Sequence, residues 1–557
     1  MPDIREISLL MPEQAGRFRW GKFLSRIKFR IRWMVVATSR TPLRYLYRAI
    51  YKAHIAVAVG VARRFPQTKA VYVARSVGRG EIALGVSDID IVVVGAWPEP
   101  EQIRLMRRLG ALTAFSPLYD SGMWQQVHTE AALRNLWETD YFFQSRFNEG
   151  RGEWKLELGH NIVSELPPMP IERLGGGCYM EVRSWWLHFI ASAFGSGPTA
   201  QDAIFRNSIS YKSVTEMMAI VDFLRTGRGI AESRKQSLRR AIDRSKGEER
   251  DFLERLEQSA EHNHLHFSGD IQQESLRLLL PLLDQIHAEL RALPSFASVG
   301  DFQVDAQPDE LLLTEAALTH APRLAEYLKR SWPSYRATYL APSTACFAMD
   351  ELLLLIEIDP TQLPDISQLR SLCQLHAETR AQVPQRIALY LLLPNGACQL
   401  EFVSFTEMWR VLIFPASNPD LFALLRRPEF LIDGTPHGDS LAPVWSRFAY
   451  DVALEEVNVR RSVLSRVTPD VFPSSIEIIR NVWRHLQLEV LVRTAAQGSA
   501  LLALSPAAVS RGLRALDRSE DTLLQLLEDA YREELAGRRS DVRPLIPRIM
   551  AYLTSFH

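Results

Sequence analysis

A stretch of this chain returns after nearly half its length. RRFPQTKAVYVARS, Arg63–Ser76, and RSWPSYRATYLAPS, Arg330–Ser343, stand 267 residues apart. At that offset Arg63, Pro66 and Ala70 meet Arg330, Pro333 and Ala337, and Tyr72, Ala74 and Ser76 meet Tyr339, Ala341 and Ser343. Phe65 faces Trp332 and Lys69 faces Arg336. Later, Arg225–Thr226 and Arg493–Thr494 match at an offset of 268, each near the end of a helical run. A period this long describes two large domains in tandem, not a solenoid of short units. The 557 residues agree, since one core does not grow to that size.

The segment after the first of these stretches holds the most chemistry. In RSVGRGEIALGVSDIDIVVV, Arg75–Val94, two aspartates stand two apart at the head of a β-branched run. In a strand, residues two apart share a face, so Asp88 and Asp90 aim two carboxylates at one point. Such a pair is costly unless a cation neutralises it. A hard cation such as Mg²⁺ suits oxygen donors and commonly keeps waters and substrate phosphates as its other ligands. Ser76, Gly78 and Gly80 lie upstream, where glycines permit the turned, closely approaching backbone that cradles phosphates. Together they point to metal-assisted chemistry on a nucleoside triphosphate.

These residues resemble the signature of the DNA polymerase beta-like nucleotidyltransferase superfamily: a strand, Gly-Ser, a short glycine loop, then Asp-x-Asp about a dozen residues on. Ser76 matches the family serine and Gly80 the later loop glycine. Asp88 and Asp90 match the metal-binding pair. The resemblance implies an α/β plus α fold, in which a nucleotidyltransferase-type mixed sheet is followed by a helical domain, here duplicated in tandem. It implies transfer of a nucleoside monophosphate from a triphosphate to a hydroxyl-bearing acceptor, with Mg²⁺ as cofactor. Two departures stand out. The glycine before the serine is Arg75, a candidate phosphate contact. The strand expected to carry a third carboxylate, SGMWQQVHT, has no acid. Asp120 before it is the candidate base. Lys212, in NSISYKSVTEMM, stands where related proteins present a phosphate-contacting side chain. The second copy reads STACFAMDELLL, without glycines and with the adjacent acids Asp350 and Glu351, which point to opposite faces of a strand. It reads as a pseudo-catalytic repeat packing on the first as an internal pseudo-dimer.

The expected organisation is a basic helical segment over 1–53, a nucleotidyltransferase domain over 54–174 and a helical domain over 175–293. A degenerate repeat over 310–445 and a second helical domain over 446–557 complete it. Strands are expected at KAVYVARS, SDIDIVVVG and SGMWQQVHT. Residues 17–53 read as two amphipathic helices broken near Ser39–Pro42, with HIAVAVGVARRF as a third.

Net charge is zero over the whole chain, which excludes a protein built entirely for nucleic acid. Residues 1–64 nevertheless hold 14 Lys/Arg against 3 Asp/Glu, so the remainder is acidic by the same margin. The basic segment suits acidic parts of its own protein, nucleic-acid backbone, or an anionic membrane surface reached through residues 17–53. The four cysteines form no C-x-x-C pair and no apolar run reaches spanning length, so a cytoplasmic protein is expected, membrane-peripheral only if residues 17–53 take the anionic-surface role. Two other readings remain open: a catalytically inactive nucleotide-binding scaffold of the same fold, and an adaptor acting through the basic N-terminus. HNHLH, with His262, His264 and His266, falls in a polar break between helices.

Overall fold

The computed structural model describes residues 30–114, 125–195, 202–227, 233–305, 315–343, 348–380, 386–401, 411–435, 441–464, 475–535, 538 and 540–555. The described chain divides into two compact units, one ending at Ile286 and the other beginning at His287.

The first unit opens with helix α1 over residues 30–38 and helix α2, Leu43–Arg63. The break at Ser39–Pro42 is where the sequence puts it. The expected third helix does not separate, because HIAVAVGVAR contains nothing that stops a helix, and it continues α2. Strand β1, Thr68–Ala74, leads through the short turn α3, Arg75–Gly78, to β2, Asp90–Gly95. Helix α4, Glu99–Ala114, returns the chain to β3, Gln125–Thr129. Helices α5, Glu130–Thr139, and α6, Tyr141–Glu153, precede the edge strand β4, Lys155–Gly159. The sheet order is β3-β2-β1-β4, with β1 antiparallel to both neighbours and β2 parallel to β3.

Alternation along the strands divides the core. Val71, Val73, Ile89, Ile91 and Val93 pack on one side with Tyr51, Ala58 and Ala62 of α2 and Leu105 and Leu109 of α4. Ala70, Tyr72, Ala74, Val92 and Val94 pack on the other with Leu133 and Trp137 of α5 and Phe143 and Phe147 of α6. Both faces are buried, so the strands read as continuous β-branched runs and not as polar–apolar alternation. β4 escapes a sequence reading because KLELG is a polar edge strand.

Five helices follow: α7, Ile171–Phe194; α8, Ala203–Thr226; α9, Arg234–Arg244; α10, Gly247–Glu261; and α11, Ile271–Arg291. Their ends are written in the sequence. Asp202 caps α8 through Ile204 N, and Gly227 closes it in the left-handed conformation. Ser233 and Gln236 form a capping box on α9. The helical part starts a few residues before the expected 175, and HNHLH forms the loop between α10 and α11.

The second unit repeats much of this order. Helix α12, Glu315–Ser331, precedes β6, Tyr335–Ser343; β7, Ala348–Ile358, is followed by α13, Ile366–Arg380, and β8, Arg386–Leu393. Strand β5, Asp301–Asp305, pairs outside this sheet with β12, Ser499–Ala503. The main sheet continues with β9, Gly396–Gln399, β10, Leu412–Ile413, and β11, Leu431–Gly434, in the order β10-β9-β8-β7-β6-β11. β6 is antiparallel to β7 and β11, and β7 is parallel to β8. The four strands β8-β7-β6-β11 thus carry the order and directions of β3-β2-β1-β4. The correspondence reaches single residues. Gly159 pairs with Ala70, and Gly434 pairs with Ala337, the residue 267 positions after Ala70. Both glycines have positive φ, +83° and +95°, and a Cβ on either would collide with a backbone carbonyl, that of Lys69 or of Arg336. Asp350 and Glu351 fall within β7; their side chains lie outside the described residues.

Candidate functional site

The carboxylate pair sits where β1 hands over to β2. Asp90 opens β2 opposite Ala74, the last residue of β1, and is 6% exposed. Asp88 is half-buried just before the strand. Ile89 and Ile91, flanking Asp90, are fully buried in the α2/α4 core, which turns Asp90 to the opposite side.

The glycine loop begins with a backbone conformation that its sequence disguises. Arg75 has φ +57°, in the left-handed region that glycine adopts without cost. Gly78 packs so closely on β1 that a Cβ there would strike the Val73 carbonyl oxygen. Gly80 has φ +77°. The turn closes with Glu81 N donating to Ser76 O at 2.7 Å. The rest of the loop is fastened from outside. Arg32 Nε of α1 donates to Gly85 O at 2.7 Å, and the Tyr51 hydroxyl of α2 donates to Ser87 O at 2.8 Å.

Helices α7 and α8 bring charge to the pair. Burial pulls the Lys212 ammonium below the usual lysine range, while Asp88 and Asp90 both act to keep it charged. His188 of α7 is held down by burial, and by the Lys212 and Arg75 cations, with Asp88 opposing. Its Nδ1 donates to Ser184 O at 2.6 Å. Arg75 Nη2 stands 4.0 Å from Glu181 Oε2. Glu216, one turn beyond Lys212, lies below the carboxylate range despite burial, because Arg234, Arg75 and Arg79 surround it. Arg234 Nη2 is 2.6 Å from Glu216 Oε1. Arg79 bridges Glu153 at 2.5 Å and Glu81 at 3.3 Å, so the Arg79-Gly80-Glu81 turn after α3 is tied to the end of α6.

The structure therefore gathers Arg75, Ser76, Gly78, Gly80, Asp88, Asp90 and Lys212 around the β1–β2 junction. Asp120 lies outside the described residues. On β3, Gln126 pairs with Val92 and His128 with Val94, so these two side chains occupy the carboxylate face of that strand. Both are buried, and burial pushes His128 down to about 4. Among the described residues, no group of three or more His, Cys, Asp and Glu side chains could hold a metal ion.

Sequence reasoning missed Glu181, His188, Glu216 and Arg234. A signal existed: Glu181, Ser184 and His188 on α7, and Lys212 and Glu216 on α8, recur at helical spacing. Polar residues so placed share one face. No protein-family model matches this chain, and a search of curated proteins finds no match.

Proposed function

We propose that the first unit is a nucleotidyltransferase that moves a nucleoside monophosphate from a triphosphate to a hydroxyl acceptor and releases pyrophosphate. The observation that carries this reading is the junction itself: two carboxylates at the head of β2, electrostatically coupled to Lys212, beside a turn that starts in the left-handed conformation at Arg75. That conformation is what a glycine supplies, and glycine is the residue the resembled signature has there.

The donor set suits Mg²⁺. Asp88 and Asp90 give two hard oxygen ligands, and water and phosphate oxygens complete such an ion's shell without a third protein ligand. Bound there, the ion would place positive charge against the triphosphate. The chain's own groups divide the remaining work. The Ser76 hydroxyl and the turned backbone at Gly78 and Gly80 take the β- and γ-phosphates. Arg75 and Lys212 add cations. As the acceptor oxygen bonds to the α-phosphorus, the bond to the β-phosphate bridge breaks and pyrophosphate leaves. The acceptor's proton goes to a base, for which Asp120 is the candidate.

The four-strand correspondence and the Gly159/Gly434 equivalence support reading the second unit as a degenerate copy of the first. Its sequence lacks the glycine loop and the spaced aspartates.

A second reading has its own observation. Gln126 and His128 stand on β3 where an acid is expected, which favours nucleotide binding without transfer. Calorimetric titration with each Mg²⁺–triphosphate, beside an Asp88→Asn/Asp90→Asn variant, separates the readings when joined to a pyrophosphate-release assay. Binding lost in the variant, with pyrophosphate released by wild type, supports transfer. Binding without release supports sensing. Equal or absent binding in both proteins overturns the site.

A further inference from the structure

The solvent face of α2 is apolar along its length. Leu43, Leu46, Ile50, Ala53, Val57 and Gly60 follow one another at alternating steps of three and four, and every one is exposed. Leu46 is 55% exposed and Val57 51%. Ala49 and Ala56 extend the face, and Tyr45 beside it is 60% exposed. The opposite face, with Tyr47, Tyr51, Ala58 and Ala62, is the one spent on the core. On helix α1, Trp33 and Met34 are likewise 54% and 50% exposed. An apolar surface of this extent on a folded unit marks a docking site.

Its electrostatics select the occupant. Residues 30–64 hold no acid and eight Lys/Arg, all exposed but Arg32. Arg44, Arg48 and Lys52 form an exposed row along α2 at one-turn intervals. A second copy of this helix brings further cations and, within residues 30–64, no acid to pair them. Nucleic-acid backbone would take the cations but gives no use to exposed Leu43, Leu46, Ile50 and Val57. An anionic bilayer surface uses both: aliphatic and aromatic side chains enter the headgroup boundary while guanidinium and ammonium groups meet lipid phosphate and carboxylate. No helix among the described residues is long and apolar enough to cross a membrane. A helix lying in the interface needs no such span.

We propose that α1 and α2 form a face that binds anionic lipid surfaces, independently of the nucleotide site. The test is flotation of the full-length protein with phosphatidylcholine vesicles and with vesicles that also contain phosphatidylserine, at low and high salt. Wild type floats with the second kind, and high salt weakens it. Leu46→Glu/Ile50→Glu abolishes flotation while circular dichroism and thermal melting stay as in wild type, because both side chains are exposed. Arg44→Gln/Arg48→Gln/Lys52→Gln weakens binding about fivefold per residue. Three outcomes overturn the proposal. Wild type ignores phosphatidylserine, or Leu46→Glu/Ile50→Glu floats as well as wild type, which gives binding to residues before α1. Alternatively, sedimentation finds a non-floating dimer that this variant dissociates, which assigns the face to a second copy.

Discussion

Arg32 Nε donates to the carbonyl oxygen of Gly85 at 2.7 Å, from a residue that is 8% exposed. One of the basic residues of the N-terminal segment is therefore an internal strut of the loop that delivers Asp88. Removing it leaves a buried carbonyl without that charged donor. Arg32→Ala is expected to cost about 1.5–3 kcal/mol of stability and to weaken triphosphate binding, read by urea unfolding and calorimetry. Unchanged values in both would mean the loop holds its shape without α1.

Arg75 occupies a conformation that a side chain resists. Arg75→Gly relieves about 1 kcal/mol of backbone strain and should raise the melting temperature while lowering triphosphate affinity. A variant that is stabilised and binds nucleotide as tightly as wild type would show that the guanidinium has no phosphate to meet.

Gly159 and Gly434 make the same demand in two sheets. An alanine at either needs a positive φ and a Cβ inside a backbone carbonyl. Each substitution should cost upwards of about 2 kcal/mol. Hydrogen exchange provides the readout: Gly159→Ala should lose protection in β1 and β4, and Gly434→Ala in β6 and β11. Loss of protection in the wrong sheet would break the equivalence.

His128 and His264 are buried as neutral rings, their pKa values lowered by burial to about 4 and about 3. The unfolded chain binds these protons first as pH falls below the ordinary histidine value near 6.5. Their contribution is thus fully present above that value and is lost as pH drops toward 4. For His128 alone the loss is on the order of 3 kcal/mol. Urea titrations between pH 7 and pH 4 should show this slope, and His128→Gln, which cannot titrate, should reduce it while His264 keeps the remainder. An equal slope in the variant would refute the assignment.

What the sequence made legible was local. Asp90 and the branched run after it could be read as a strand because period-two alternation needs no tertiary knowledge, though β2 starts at Asp90 and leaves Asp88 just before it, and the break at Ser39–Pro42 announces itself. The recurrence of Tyr72 and Ala74 as Tyr339 and Ala341 pointed to strands that do take corresponding places in their sheets. What stayed hidden depended on distance along the chain. His188 and Lys212 meet the Asp88 field from helices about a hundred residues downstream, and no local pattern announces that meeting. β4 is hidden differently: an edge strand can be polar, so its identity rests on pairing with β1.

The struts from α1 and α2 also order events in time. Arg32 and Tyr51 leave the ribosome before Gly85 and Ser87, the carbonyls they will hold, and domains fold from the N-terminal side during synthesis. Part of their inner face stays uncovered until β2 emerges, since Tyr51, Ala58 and Ala62 pack with Ile91 and Val93 as well as with β1. The β1–β2 loop is consequently not a late ornament on a finished sheet. Its arrival brings Ile89 and Ile91 to that face, before α4 and β3 add Leu105, Leu109 and Val127.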